Sequence, residues 1–141
     1  MTTLTVARVL AILVAVVTTF GALLADFVIP ATAAQHMRND RWPPHAKFHD
    51  AQYIVMSILL GVLALALLTT SASNAQFAVV TACAMLATPW LGLLGALLFP
   101  RTAIHDPEFH NRPIVGLHPQ VLLSAILLVV LLVAALLAAR S

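Results

Sequence analysis

Two histidines four residues apart occur in RWPPHAKFHDAQY, residues 41–53, a polar stretch between two long apolar runs. The proline pair favours a helix start here, because proline fits the first helical turn, where its missing N–H costs nothing. On that helix His45 and His49 share one face, and histidines at this spacing can ligate one metal ion. The stretch therefore predicts a metal site in which Asp50 orients a histidine from behind.

The other histidines lie close to this stretch or in a second polar segment, PRTAIHDPEFHNRPIVGLHPQ, residues 100–120. Imidazole and carboxylate groups together suit a transition metal such as iron, zinc or copper. The sequence thus predicts that the metal ligands include, besides the first pair, His36, His105, His110 and His118. The ligands of the second segment reach the first pair only if that segment folds back over the protein.

Asp26 is the carboxylate with the least expected position, because it lies inside an apolar run about one turn before a proline. A carboxylate within a membrane is costly and normally faces the protein interior with a partner. If the helix continues through Pro30, His36 falls near the same face and is that partner. The alternative is a structural ion pair of Asp26 with Arg38 or Arg101.

Asp50 and Glu108 complete the candidate catalytic carboxylates, together with Asp26. The sequence Asp-Pro-Glu at residues 106–108 is also typical of a helix start, with Asp106 as N-cap and proline in the first turn. This second interpretation gives the acidic segment a structural role.

The elements that position these side chains follow from composition. The chain has 141 residues, of which 62% are hydrophobic and 9% charged, with a mean hydropathy of +1.02. A soluble domain carries about 25% charged residues, so lipid is the natural solvent for most of this chain. Four apolar runs, at residues 4–29, 54–68, 77–99 and 121–139, must be helical if they cross a bilayer. We predict one all-α domain over residues 1–141, a four-helix transmembrane bundle.

Two long polar links join these spans on one membrane face. The first link comprises residues 36–52 and the second link residues 100–120, whereas a short SASNA turn lies on the opposite face. Only two charged residues, Arg8 and Arg140, lie away from the links and the adjoining end of the first span. The excess of lysine and arginine predicts cytoplasmic links in a bacterial inner membrane. Anchoring to lipid headgroups is the alternative, but it does not explain six histidines on one face.

The sequence RWPPHAKFHDAQ, preceded by a histidine, resembles a stretch of a family of small four-span membrane proteins from bacteria and fungi without an established activity. The resemblance implies four helices. By architecture alone, the chain is also similar to four-span sterol isomerases and emopamil-binding-type proteins, which use acidic residues in a membrane pocket. Pro89 in the third span predicts a kink that opens room for a pocket.

Three functions of different classes fit these patterns. The first is a membrane enzyme with a histidine–carboxylate metal site that acts on a lipophilic small molecule. The second is a metal-free isomerase or cyclase, in which Asp26 and His49 carry protons. The third is a binding or accessory subunit, which holds haem between two histidines or stabilises a partner. The expected partners are the lipid bilayer and further copies of the chain, and nucleic acid is not expected.

Overall fold

The computed structural model describes residues 2–70, 74–109 and 111–141 of the chain. The regular elements in these residues are helices, without a β-strand, and four of the helices are long and apolar enough to span a membrane. The elements are α1 (Thr3–Ala22), a π-helical segment (Leu23–Val28), α2 (Pro30–Ala33), α3 (Pro44–Thr69), α4 (Ala75–Ala96) and α5 (Pro119–Ala139). The predicted all-α fold with four spans is confirmed.

Helix α3 is longer than the apolar run that predicted it, because it begins inside the first link. Its first residue is Pro44, as the proline pair predicted. Helix α5 begins in the same way at Pro119, and the side chain of His118 accepts a hydrogen bond as its N-cap. Helix α4 begins after Asn74, whose side-chain oxygen accepts from the backbone N–H of Phe77 at 2.9 Å. Each of these helices thus begins where a proline removes an unpaired N–H group or a capping side chain accepts a hydrogen bond from one.

The helices pack through small side chains at the centre of the bundle, where α1 contacts α3, α4 and α5. Ala7, Ala11 and Ala15 of α1 are fully buried, and Gly61 of α3 lies directly against Ala15 and Thr19. Large apolar side chains point outward along all four spans. Lipid tails are as apolar as these side chains, so association in a membrane depends on close van der Waals packing, which small residues permit.

Helix α4 continues through Pro89 as one element, Ala75–Ala96. Pro89 has no N–H to donate to the carbonyl of Met85 four residues earlier. The hydroxyl of Thr88 donates to that carbonyl at 2.7 Å instead, so the acceptor is not left unpaired. A cavity of about 410 Å³ lies between this turn and α3, and Pro89 and Gly92 line it. The cavity therefore lies where Pro89 was expected to open room, whereas the kink of the helix stays a prediction.

The first and second links lie against each other at one end of the bundle. Trp42 Nε1 donates to a carboxylate oxygen of Asp106 at 3.0 Å, and Arg41 Nη1 donates to Glu108 at 3.1 Å. The second link therefore folds back over the bundle, and both links cover the same end of it.

The prediction that a helix starts at Asp106 is wrong. The backbone N–H of Phe109 donates to the carbonyl of Asp106 at 3.0 Å in an isolated turn. The Asp106 carboxylate accepts from Trp42, so it ties the links together and caps no helix. Val115 and Gly116, with φ of 50° and 79°, then reverse the chain before α5. Contacts between the two links thus override the local helix-start pattern.

Candidate functional site

A cavity of about 270 Å³ lies at the end of the bundle that carries the links. Residues from all four long helices, the π-helical segment and the second link form its wall. On the α4 side the wall includes Trp90, whose Nε1 donates to Thr18 Oγ1 at 3.2 Å. The polar side chains that line the cavity include Asp26, Thr32, Gln35, His36, Tyr53, Asn111, His118 and Gln120.

Asp26 and His36 form a close pair in this wall. Oδ1 of Asp26 and Nδ1 of His36 are 3.3 Å apart, and Asp26 is only 6% exposed. A buried carboxylate at this depth requires such a partner. Neither Arg38 nor Arg101 forms an ion pair with Asp26 in the part of the chain that the structure describes. The expectation of an inward-facing Asp26 beside His36 therefore agrees with the structure, and the alternative arginine pair does not.

The chain reaches this geometry by a route that the sequence did not predict, because the first helix does not continue through Pro30. Ile29 has an extended backbone, with φ −73° and ψ 115°, and the helix that follows is a single turn. The backbone N–H of Met37 donates to the carbonyl of Asp26 at 3.3 Å. The chain thus folds back on itself, and this reversal brings His36 to Asp26.

The ring of His36 is held in one orientation by two acceptors. Its Nδ1 lies 3.0 Å from the carbonyl oxygen of Thr32 and 3.3 Å from Asp26. A carbonyl oxygen can only accept, so Nδ1 carries the hydrogen in the neutral ring and Nε2 carries the lone pair. The edge-to-face contact with Trp42, at 5.7 Å between ring centroids, restrains the ring further. His36 is therefore set up to accept a proton at Nε2, with Asp26 beside the imidazolium that results.

Asp50 is a second carboxyl group close to this pair. It interacts electrostatically with both Asp26 and His36, and its Oδ2 is buried without a hydrogen-bond partner among the described residues. Asp50 faces the bundle interior, whereas His49 is exposed on the outside of α3. Asp50 is therefore placed to act on His36. Asp50 was expected to orient a histidine of the first pair, but in the described residues no hydrogen bond joins it to His45 or His49. Tyr53, one turn further along α3, lines the cavity itself.

A polar network from the second link covers another side of the cavity. The side-chain amides of Gln35 and Asn111 pair with each other, and Asn111 Nδ2 lies 3.1 Å from His118 Nε2. His118 Nδ1 accepts from the backbone N–H of Gln120 at 3.3 Å. Burial lowers the pKa of His118 from its usual value, and the proximity of the His105 ring lowers it further. Both effects favour the neutral form of His118 as a hydrogen-bonding group in the wall.

His45 and His49 lie on one face of α3, as the spacing predicted, but that face points away from the cavity. Their Nε2 atoms are 3.1 Å apart, and both side chains are exposed. Neither lines the cavity. The structure therefore separates this pair from Asp26, His36 and His118.

Glu108 and His105, two further predicted site residues, lie at the surface of the second link. Glu108 pairs with Arg41, and the exposed ring of His105 lies 5.6 Å from that of His118. His110 falls outside the described residues. Within residues 2–70, 74–109 and 111–141, no three histidine, cysteine, aspartate or glutamate side chains are arranged to hold a metal ion. The predicted convergence of the histidines on one metal centre therefore has no geometric support in these residues.

Sequence reasoning missed Tyr53, Gln35 and Asn111. The spacing of Asp50, Tyr53 and Ser57 by three and four residues does indicate a polar face on α3, centred about a quarter-turn from the histidine face. No comparable pattern marks Gln35 or Asn111, because their amides meet only through the packing of the two links.

Comparisons with known proteins place the chain in a family but give no activity. No curated protein and no solved structure matches it. The match of residues 10–139 to the sequence pattern of one family covers the four spans and both links. The chain therefore belongs to DUF6640, a family of unknown function.

Proposed function

We propose that the protein is a membrane-embedded acid–base enzyme that moves a proton within a lipophilic substrate, as an isomerase or a cyclase does. The observation that carries the proposal is the orientation of His36. Nδ1 is held by Thr32 and Asp26, so Nε2 is the nitrogen that can exchange a proton in the cavity region. A histidine beside a buried carboxylate is a frequent general base, because its proton affinity suits neutral pH.

The reaction needs no net change in the substrate's composition. His36 Nε2 takes a proton from a carbon that a neighbouring polar group acidifies, and the proton returns to a different carbon. Asp26 stabilises the imidazolium between these steps. Tyr53, Asn111 and Gln120 line the same cavity and supply hydrogen bonds to the polar group of the substrate. Positioned proton transfer of this kind accelerates reactions by about 10²- to 10⁴-fold.

The lipophilic character of the substrate is supported by the second cavity, the one of about 410 Å³ beside Pro89. Both cavities are lined by Tyr53 and Gln120, so they adjoin at these side chains. Most of the second cavity is walled by apolar side chains of α3 and α4, such as Leu60 and Leu93. A substrate with a polar head in the first cavity and an apolar tail in the second fits this arrangement.

Solvent deuterium provides the test. Membranes containing the overproduced protein are incubated with a total lipid extract in D₂O, and lipids that gain deuterium are sought by mass spectrometry. We expect incorporation, because the side chain of His36 is 28% exposed and exchanges its proton with water between the two transfers. Exchange that is equal in membranes carrying His36→Gln, or in membranes without the protein, would contradict the proposal.

We further propose that this site lies at the cytoplasmic face of a bacterial inner membrane, in keeping with the resemblance of the first link to small bacterial membrane proteins. The positive-inside rule supports the orientation. The cations of the two links are Arg38, Arg41, Lys47, Arg101 and Arg112, against Arg8 and Arg140 elsewhere. Alkaline phosphatase fused after Ser141 is expected to be active, since it works only outside the cytoplasm. If green fluorescent protein fused at the same position is fluorescent, the C-terminus lies in the cytoplasm and the assignment is reversed.

A further inference from the structure

The exposed histidine pair on α3 has the geometry of half a metal site. Nε2 of His45 and Nε2 of His49 are 3.1 Å apart, and the two rings are nearly perpendicular, at 78°. Two nitrogens bound to one tetrahedral Zn²⁺ at about 2.0–2.1 Å lie about 3.3 Å from each other. The pair therefore needs almost no movement to hold one ion between its two Nε2 atoms.

The surroundings prepare His49 to act as a ligand. Its Nδ1 lies 3.3 Å from Oε1 of Gln52, an oxygen that only accepts, so Nδ1 carries the hydrogen and Nε2 the lone pair. A polar partner behind a histidine fixes the ring of a metal ligand in this way. Phe48 stacks parallel to His45 at 6.4 Å between centroids and meets His49 edge to face at 5.5 Å. Both rings are thus restrained.

The pair is incomplete within one chain. Zinc in a structural site takes four protein ligands, and the described residues add no third histidine, cysteine, aspartate or glutamate to this pair. The pair also faces outward, and the same face of α3 continues with the exposed side chains of Met56, Leu59 and Leu63. A second α3 can therefore approach along this face without obstruction from the bundle.

We propose that two copies of the chain bind one Zn²⁺ ion between their α3 helices, through His45 and His49 of each copy. The four imidazoles complete a tetrahedral site on a two-fold axis, where each copy offers the same surface to the other. The exposed apolar side chains further along α3 then lie against their counterparts within the bilayer. This site is separate from the Asp26–His36 cavity, so the zinc proposal does not depend on the proposed activity.

The test uses full-length protein without a histidine tag, purified without chelators and placed in detergent micelles. Zinc chloride is added, the mass of the protein is measured by light scattering, and bound zinc is measured by elemental analysis. We expect zinc to convert monomers into dimers with one zinc ion per two chains. One zinc per chain, or no change in mass on zinc binding, would overturn the shared site.

Variants identify the ligands. His45→Ala and His49→Ala are each expected to weaken zinc binding at least about 10- to 100-fold, the loss that an outer-shell partner already causes. Both side chains are exposed, so folding, measured by circular dichroism, is expected to be unchanged. His105→Ala removes an exposed histidine from the other link and is expected to leave the dimer intact. Zinc binding that survives both α3 variants, or that disappears in His110→Ala, would refute the assignment.

Discussion

Asp26→Asn is expected to lower solvent deuterium incorporation at least about 100-fold, while the protein still inserts and purifies normally. Asparagine keeps the shape of the side chain but removes the charge that lies 3.3 Å from Nδ1 of His36. Nδ1 can still donate to Thr32, so the ring keeps its tautomer and only the stabilisation of the imidazolium is lost. The incorporation rate in D₂O, compared at equal protein amounts, measures this effect.

Asp40→Asn is the matched control, because it makes the same chemical change at an exposed position of the first link. It is expected to retain the incorporation rate of the original protein. If Asp26 had only a structural role, Asp26→Asn would lower the yield or the thermal stability together with the rate. A rate that stays within a few-fold of the original in Asp26→Asn would remove this carboxylate from the mechanism.

Gly61→Ala is expected to destabilise the bundle by about 1–3 kcal/mol, the cost of overfilling a packed core. A Cβ at this position would lie 2.9 Å from the backbone nitrogen of Thr19 and 3.0 Å from the carbonyl oxygen of Ala15. It would also collide with the Thr19 hydroxyl, which is buried and donates to Ala15 at 2.7 Å. Two of the three obstacles are backbone atoms, so α1 and α3 must move apart.

The reaction of Cys83 with a dye measures the unfolding of the Gly61→Ala variant. Cys83 is the single cysteine of the chain and is 3% exposed, so a maleimide dye reacts with it only as the bundle opens. The midpoint of the reaction on heating is expected to fall in Gly61→Ala. Gly95→Ala, at a helical position with nothing within 4 Å of the added Cβ, is expected to leave the midpoint unchanged or slightly higher. Equal midpoints in both variants would show that the α1–α3 contact is looser than described.

Periodicity and composition predict the spans of this protein well, because a bilayer leaves helices as the main way to pair the backbone. The same reasoning predicts the start of α3 at Pro44 and that of α5 at Pro119, where proline sets the local backbone. It also predicts that His45 and His49 share a face. These are local properties, which a short stretch of sequence determines.

The candidate site depends on features that are not local. His36 reaches Asp26 through a chain reversal at Ile29. Proline disfavours a helical backbone in the residue before it, so Pro30 indicates the break, but the direction that the chain takes afterwards depends on packing. The sequence also does not show which face of a spanning helix points into the bundle, because the inner and outer surfaces of a membrane protein are both apolar. The outward position of His49 and the inward position of Asp50 therefore follow from packing alone.

The π-helical segment lets the first span carry one extra residue. The backbone N–H of Ile29 donates to the carbonyl of Leu24 at 2.8 Å, five residues earlier, so this turn holds one residue more than an α-helical turn. A deletion of one residue within the segment would be absorbed by a return to an ordinary α-helical turn, and the chain after it would keep its direction. A deletion in the α-helical part of α1 would instead turn the following residues by about 100° around the helix axis. The segment is therefore the place where the first span can change its length by one residue without turning the chain reversal, and with it His36, away from the cavity.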